Sequence, residues 1–151
     1  MQMRFLGING FEFKAQGKTL LIDPYLSRDR DLVCIPEVVR KHVPAADYIF
    51  LGHSHWDHAA DVPEIARYTD AAIFGSETML HICRHFGVAE TRLHLLEPHQ
   101  RIELGAFPVT PFKSLHKEPV GYPGRYFQPP ERIAGACDYL EGGSWALLVE
   151  C

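Results

Sequence analysis

Residues 53–58 read His-Ser-His-Trp-Asp-His, which brings three imidazoles and one carboxylate into six positions. They follow an apolar run, Tyr48-Ile49-Phe50-Leu51, and a glycine, Gly52. Neutral imidazole is the commonest protein metal ligand, and a carboxylate beside it adds a harder oxygen donor. A single His or Asp in such a place would be an ordinary solvated side chain. Four of them directly after a strand-like run point to a metal site.

The spacing says how such a site would be divided. Side chains two apart on an extended segment point the same way, so His53 and His55 can grip one ion together. Asp57 and His58 come after the chain turns and can approach a second ion. Hydrolytic two-metal sites hold their ions about 3.5–4 Å apart, with a water or hydroxide between them as nucleophile. A catalytic zinc normally keeps three protein ligands and one open position, so the first ion needs a third ligand from elsewhere. His116, in Phe112-Lys113-Ser114-Leu115-His116 just past a predicted strand, is the best candidate. The other histidines carry less. His81 and His85 fall four apart on a predicted helix, but no third ligand accompanies them, and a solvated helix face is the expectation. His42, His94 and His99 show no pattern.

The elements that must position these groups are readable from punctuation and periodicity. Runs at 3–8, 10–15 and 19–23 predict a three-stranded antiparallel meander, with a turn at Gln16-Gly17-Lys18. Asp23-Pro24 breaks the third strand, and residues 24–35 form a charged loop. Pro36 opens a short helix through Lys41, since its missing N–H would be unpaired there anyway. Asp47–Leu51 is the fourth strand, with the His cluster at its C-terminal end. A helix comes next at 61–68 with Asp61 as N-cap, then a strand at 71–74. A second helix runs over 76–86, capped by Ser76 and stopped by Gly87. Strands are expected at 92–96, 100–104 and 106–113, and a buried one from Ser144 to Cys151. The Pro- and Gly-rich loop from Glu118 to Pro130 carries Tyr122, Tyr126 and Phe127. These either contact a substrate or pack on the core, and the sequence favours neither.

Composition sets the class. The chain has 151 residues, 46% hydrophobic and 23% charged, with a formal net charge of −4, which fits one domain spanning 1–151. No basic run offers an electrostatic footprint for nucleic acid. No apolar run approaches the roughly 20 residues that span a bilayer. Cysteines at 34, 83, 137 and 151 form no Cys-x-x-Cys pair, and reduced thiols in a cytoplasm are the expectation.

The residues quoted so far resemble the metallo-β-lactamase fold superfamily, whose His-x-His-x-Asp-His signature is matched in full by His53, His55, Asp57 and His58. The opening Phe5-Leu6-Gly7, the hairpin, and Leu21-Ile22-Asp23-Pro24 are similar to the branch containing ascorbate-6-phosphate lactonase-like hydrolases. The resemblance implies an α/β (α+β) fold, an αββα sandwich, of which this chain holds the N-terminal portion. It also implies one or two ions, zinc first, with manganese or iron as alternatives. His53, His55 and His116 would hold the first, and Asp57 and His58 the second. Asp57 would orient the attacking water in hydrolysis of a small ester, lactone, thioester, amide or phosphodiester.

The chain departs from that pattern in two places. Gly7-Ile8-Asn9 replaces a Gly-His of that branch, and a bridging Asp and a last His have no counterpart; Asp138 is the only tempting substitute and lies before the Trp145 strand rather than after it. Three expectations result: a fragment of a longer hydrolase, a half-length protein whose homo-oligomer or partner chain completes the sandwich, or a non-catalytic metal-binding or assembly domain. A flavodiiron-type redox protein shares the fold but usually replaces a ligand with Glu and carries a flavin domain, and the sequence shows neither.

Overall fold

The computed structural model describes residues 1–27 and 34–150; part of the expected charged loop at 24–35, and Cys151, lie outside the described residues. Strands β1 (Gln2–Gly7), β2 (Gly10–Ala15) and β3 (Lys18–Ile22) form the expected antiparallel meander. The β2–β3 hairpin closes through Gln16 and Gly17, both at positive φ (50° and 75°). That is the turn geometry whose twist suits a two-residue hairpin. Strands β4 (Tyr48–Phe50), β5 (Ala72–Gly75) and β6 (Leu93–Leu95) then add in parallel, giving a six-stranded sheet in sequence order. Helices α1 (Pro36–His42), α2 (Trp56–Ala59), α3 (Val62–Tyr68) and α4 (Glu77–His85) fill the crossovers. Strands β7 (Val109–Ser114) and β8 (Ser144–Val149) pair antiparallel as a second, two-stranded sheet.

Period-two alternation decides what covers each face. Leu21, Ile49 and Ile73 point to one side of β3, β4 and β5, where they pack with Val39, Ile65, Met79 and Ile82 of the helices. Leu20, Phe50 and Phe74 point to the other, against Phe107, Val109 and Trp145 of the second sheet region. A parallel strand buried on both faces therefore reads as a continuous apolar run, as Tyr48–Leu51 does. Phe50 and Phe74 are register partners and stack at 4.3 Å between centroids, and Phe74 stacks in turn on His94 at 4.7 Å. Each fully buried side chain of this size contributes roughly 1.5–3 kcal/mol.

The layers are thus helices, six-stranded sheet, two-stranded sheet. Among the described residues this is the αββα arrangement without its last layer. The buried apolar residues of the four helices all belong to the first cluster. The small second sheet also leaves part of the large one open. Met3 and Phe5, 64% and 61% exposed, lie on the same face as Leu20 through the pairs Met3–Phe13 and Phe13–Leu20.

Several expectations are corrected. No strand forms at 100–104; only an isolated bridge joins Ile102 to Val109, and β7 begins at Val109 rather than 106. Strand β8 exists but is not buried throughout, since only Trp145 is enclosed and Leu148 is 52% exposed. Asp61 takes the expected N-cap position of α3, its carbonyl accepting from Ile65 N–H (3.1 Å), but its side chain makes no capping bond. Its buried carboxylate instead accepts hydrogen bonds from the backbone N–H groups of Leu26 and Ser27 (2.6 and 2.9 Å) and the Ser27 hydroxyl. Ser76 does cap α4, its Oγ accepting from the Met79 N–H.

Candidate metal centre

The His cluster sits where the parallel strands end, the edge at which open α/β sheets usually bind ligands. Leu51 N–H still donates to Phe74 (3.0 Å). Beyond it the chain is clamped by β8 and the residues before it: Trp145 N–H donates to Gly52 O (2.7 Å), and Ser54 N–H donates to Glu141 O (3.1 Å). His55 is extended (φ −60°, ψ 152°) and becomes the N-cap of α2, whose single turn swings Asp57 and His58 back toward His53. Glycine at residue 52 keeps the packing here close: a Cβ there would lie 3.0 Å from Asp23 Oδ2 and 3.4 Å from Trp145 O. His116 arrives from the other sheet, two residues beyond β7.

This architecture brings together all five residues singled out in the sequence. The ligand atoms of His53, His55 and His116 lie within 4.8 Å of one another, as do those of His53, Asp57 and His58. His53 is common to both groups. Its ring lies 4.7 Å from that of His55, 3.9 Å from His58 and 4.9 Å from His116, centroid to centroid. The Nε2 of His53 faces the Nδ1 of His55 at 3.0 Å.

One further residue completes the site and was read in the sequence only as a strand breaker. Asp23 is buried, at positive φ (44°), and accepts from Gly52 N–H through Oδ1 (2.7 Å). Its Oδ2 lies 3.0 Å from Nδ1 of His58, while the Nε2 of the same ring faces Asp57 at 3.9 Å. A carboxylate on one imidazole nitrogen fixes the tautomer that leaves the other nitrogen free for a cation. The available signal was an acid ending a buried strand that runs parallel to the one carrying the ligands.

The electrostatics suit a cation. Burial, then repulsion from His58, His55 and His116, pushes the pKa of His53 down to about 3. Burial and His116 also lower that of His55. At His58 burial opposes the charged form, but hydrogen bonding and attraction from Asp23, with Asp57 adding, outweigh it and raise the pKa. His55 Nε2 is buried with no hydrogen-bond partner among the described residues. The nitrogens that face each other, His53 Nε2 and His55 Nδ1, sit at 3.0 Å in rings that burial keeps neutral, with His116, His58 and Asp57 close by, so the donor set fits a metal ion.

The site opens into a cleft of about 470 Å³ bordered by Asn9, Trp56, Lys117, Tyr122 and Trp145. The aromatics of the 118–130 loop divide between the two expectations. Tyr122 lines the cleft, Tyr126 packs on the core with its hydroxyl donating to Asp138 O (2.8 Å), and Phe127 is 85% exposed. Asp138 supplies no ligand: its Oδ2 accepts from the N–H groups of Ala134 and Gly135. His81 is not on a solvated face but buried, 3.2 Å from Arg84, and half-buried His85 bonds the Pro130 carbonyl (2.7 Å).

Comparison with known proteins agrees with this fold. A UPF0173 protein of Pyrococcus abyssi is 31% identical over 125 residues, covering 81% of this chain and 54% of the relative. A UPF0173 metal-dependent hydrolase of Carboxydothermus hydrogenoformans is 26% identical over 140 residues, covering 93% of this chain and 56% of its own. The chain thus spans about half the length of the curated relatives it matches. Among solved structures, Igni18, a metallo hydrolase from Ignicoccus hospitalis, superposes with a TM-score of 0.66 over 98% of this chain and 55% of that one, at 16% identity. The metallo-β-lactamase fold protein YhfI of Bacillus subtilis does so with a TM-score of 0.59 over 94% and 50%, at 19% identity. The family model described as the beta-lactamase superfamily domain matches residues 18–135, and this chain belongs to that superfamily.

Proposed function

We propose that this chain carries the metal-binding half of a metal-dependent hydrolase acting on a small ester, lactone, thioester, amide or phosphodiester. The observation that carries the reading is the pair of three-residue ligand groups meeting at His53. His53, His55 and His116 would hold one divalent cation, with Asp57 and His58 available to a second; zinc suits the donors, and manganese or iron are alternatives. Such an ion supplies Lewis-acid polarisation of a substrate oxygen and lowers the pKa of water at the site. The chain's own residues do the rest. Asp57, part-exposed at the cleft, orients the attacking water and takes its proton. Asp23 keeps His58 in one tautomer, and Trp56 with Tyr122 shapes the cleft in which the acyl or phosphoryl group would lie. The naming of relatives as metal-dependent hydrolases supports this reading.

A second reading, a non-catalytic metal-binding or assembly domain, is favoured by one observation: among the described residues no helix covers the outer side of the second sheet. Metal analysis and a hydrolysis screen separate the two. Bound metal in the native chain should fall most in His53→Ala, which touches both groups, and less in His116→Ala, which touches one. Equal metal content in all three proteins defeats both readings. Full metal content with no turnover of lactone, thioester or phosphodiester substrates, alone or mixed with a partner chain, leaves the second.

A further inference from the structure

Trp145 borders two cavities. One is the metal cleft; the other, of about 310 Å³, is bordered by Lys113, Arg125, Phe127 and the first turn of α4. Lys113 Nζ sits 3.4 Å from the centroid of the Trp145 ring. The indole Nε1 is buried with no hydrogen-bond partner among the described residues, while Trp145 as a whole is 7% exposed. Burial and then the neighbouring Arg125 guanidinium lower the pKa of Lys113. Neither cation forms an ion pair among the described residues, although Glu77 and Glu97 border the same cavity. Glu77 is drawn instead toward His81 Nε2, 3.8 Å away.

Two exposed cations bordering one cavity, and the positive end of a nine-residue helix opening into it, favour an anion there. The space is larger than a bare phosphate needs, and Leu95, Pro98 and Phe127 give it an apolar wall. We propose that this cavity is a second ligand site, distinct from the metal centre, that takes a small organic oxyanion. Lys113 and Arg125 meet its phosphate or carboxylate group, and its apolar or aromatic body lies toward Phe127, beside the Trp145 ring that Lys113 covers. None of these side chains is a metal ligand, so the site stands whether or not the hydrolytic reading does.

Trp145 itself can report occupancy. In a Trp56→Phe background its fluorescence should change saturably on titration with phenyl phosphate or benzoate, the tighter of the two naming the headgroup. Inorganic phosphate should bind more weakly. Lys113→Met or Arg125→Met should raise Kd at least about tenfold. Both side chains are exposed, so circular dichroism should be unchanged in these variants. Binding should survive His53→Ala, which disrupts the metal centre. The proposal is overturned if no organic probe gives a saturable change by about 20 mM, if Lys113→Met binds as tightly as the parent, or if His53→Ala abolishes the signal.

Discussion

Replacing Asp23 by Asn separates the two ligand groups more cleanly than removing any ligand. The carboxylate now does two things: Oδ1 accepts from Gly52 N–H at 2.7 Å, and Oδ2 faces His58 Nδ1 at 3.0 Å. Asparagine keeps the first bond, because its carbonyl oxygen can stay where Oδ1 was. Its NH2 then falls opposite His58 Nδ1, which must turn acceptor. The ring proton moves to Nε2, the nitrogen facing Asp57, and the lone pair that a cation needs on that side is lost. Loss of such a supporting carboxylate typically weakens metal binding 10–100-fold, or about 1.4–2.7 kcal/mol. Competition titration with a chromophoric chelator should therefore show one weakened site in Asp23→Asn. The affinity set by His53, His55 and His116 should stay within about twofold of the parent. Melting temperature provides the folding control. Unchanged affinity at every site in a folded Asp23→Asn protein would refute the claim that Asp23 orients His58.

Two other outcomes are expected. At pH 8, iodoacetamide should label Cys137, which is exposed, well before Cys34 and Cys83, as read by peptide mass mapping. Burial raises both of the latter thiols to about 12, with Asp61 adding at Cys34. A raised pKa means less thiolate, on the order of one molecule in 10⁴ at that pH, and the thiolate is the nucleophile. Gly142→Ala should lower the melting temperature sharply, because φ is +74° there and a Cβ would lie 2.6 Å from Thr78 Cβ and 2.8 Å from Ser54 Oγ. Overpacking of this kind costs about 1–3 kcal/mol, before strain is counted.

The features legible in the sequence were the ones encoded locally. His53, His55, Asp57 and His58 are contiguous, so their chemistry could be read without knowing the fold. His116 was found by counting the ligands an ion still lacked. Asp23 was missed because its meaning depends on β3 and β4 lying side by side, a contact that spans 29 residues from Asp23 to Gly52. Asp61 is the reverse case, its N-cap position legible but the partners of its side chain not. Its sequence setting is that of an N-cap, but Ser27 and its neighbours offered the carboxylate better partners. The 100–104 strand failed because Ile102 alone found a bridge partner before Gly105 turned the chain (φ +67°). His81 was placed on a solvated face because helical spacing alone does not show that Arg84 and Glu77 lie across its ring.

The open face of the meander leads to a prediction about assembly. Met3 and Phe5 project from β1 on the side where β3 and β4 meet the second sheet, yet β7 and β8 do not reach them. Both remain more than half exposed, beside the half-buried Phe11 and Phe13. Burying two such side chains is worth on the order of 2–4 kcal/mol, and twice that when both copies of a pair contribute. That exceeds only the low end of the roughly 4–15 kcal/mol cost of bringing two proteins together, leaving at most about 4 kcal/mol. The isolated chain should therefore associate weakly and reversibly, detectable by sedimentation only as its concentration approaches about 1 mM. Phe5→Glu should shift it toward monomer without lowering its melting temperature, since the side chain contributes little to the existing core. A parent chain that stays monomeric throughout, and that fails to bind a hydrophobic dye, would show that this face needs no cover. Association that persists in Phe5→Glu would place the interface elsewhere, and the exposed Leu148 on β8 would be the next residue to test.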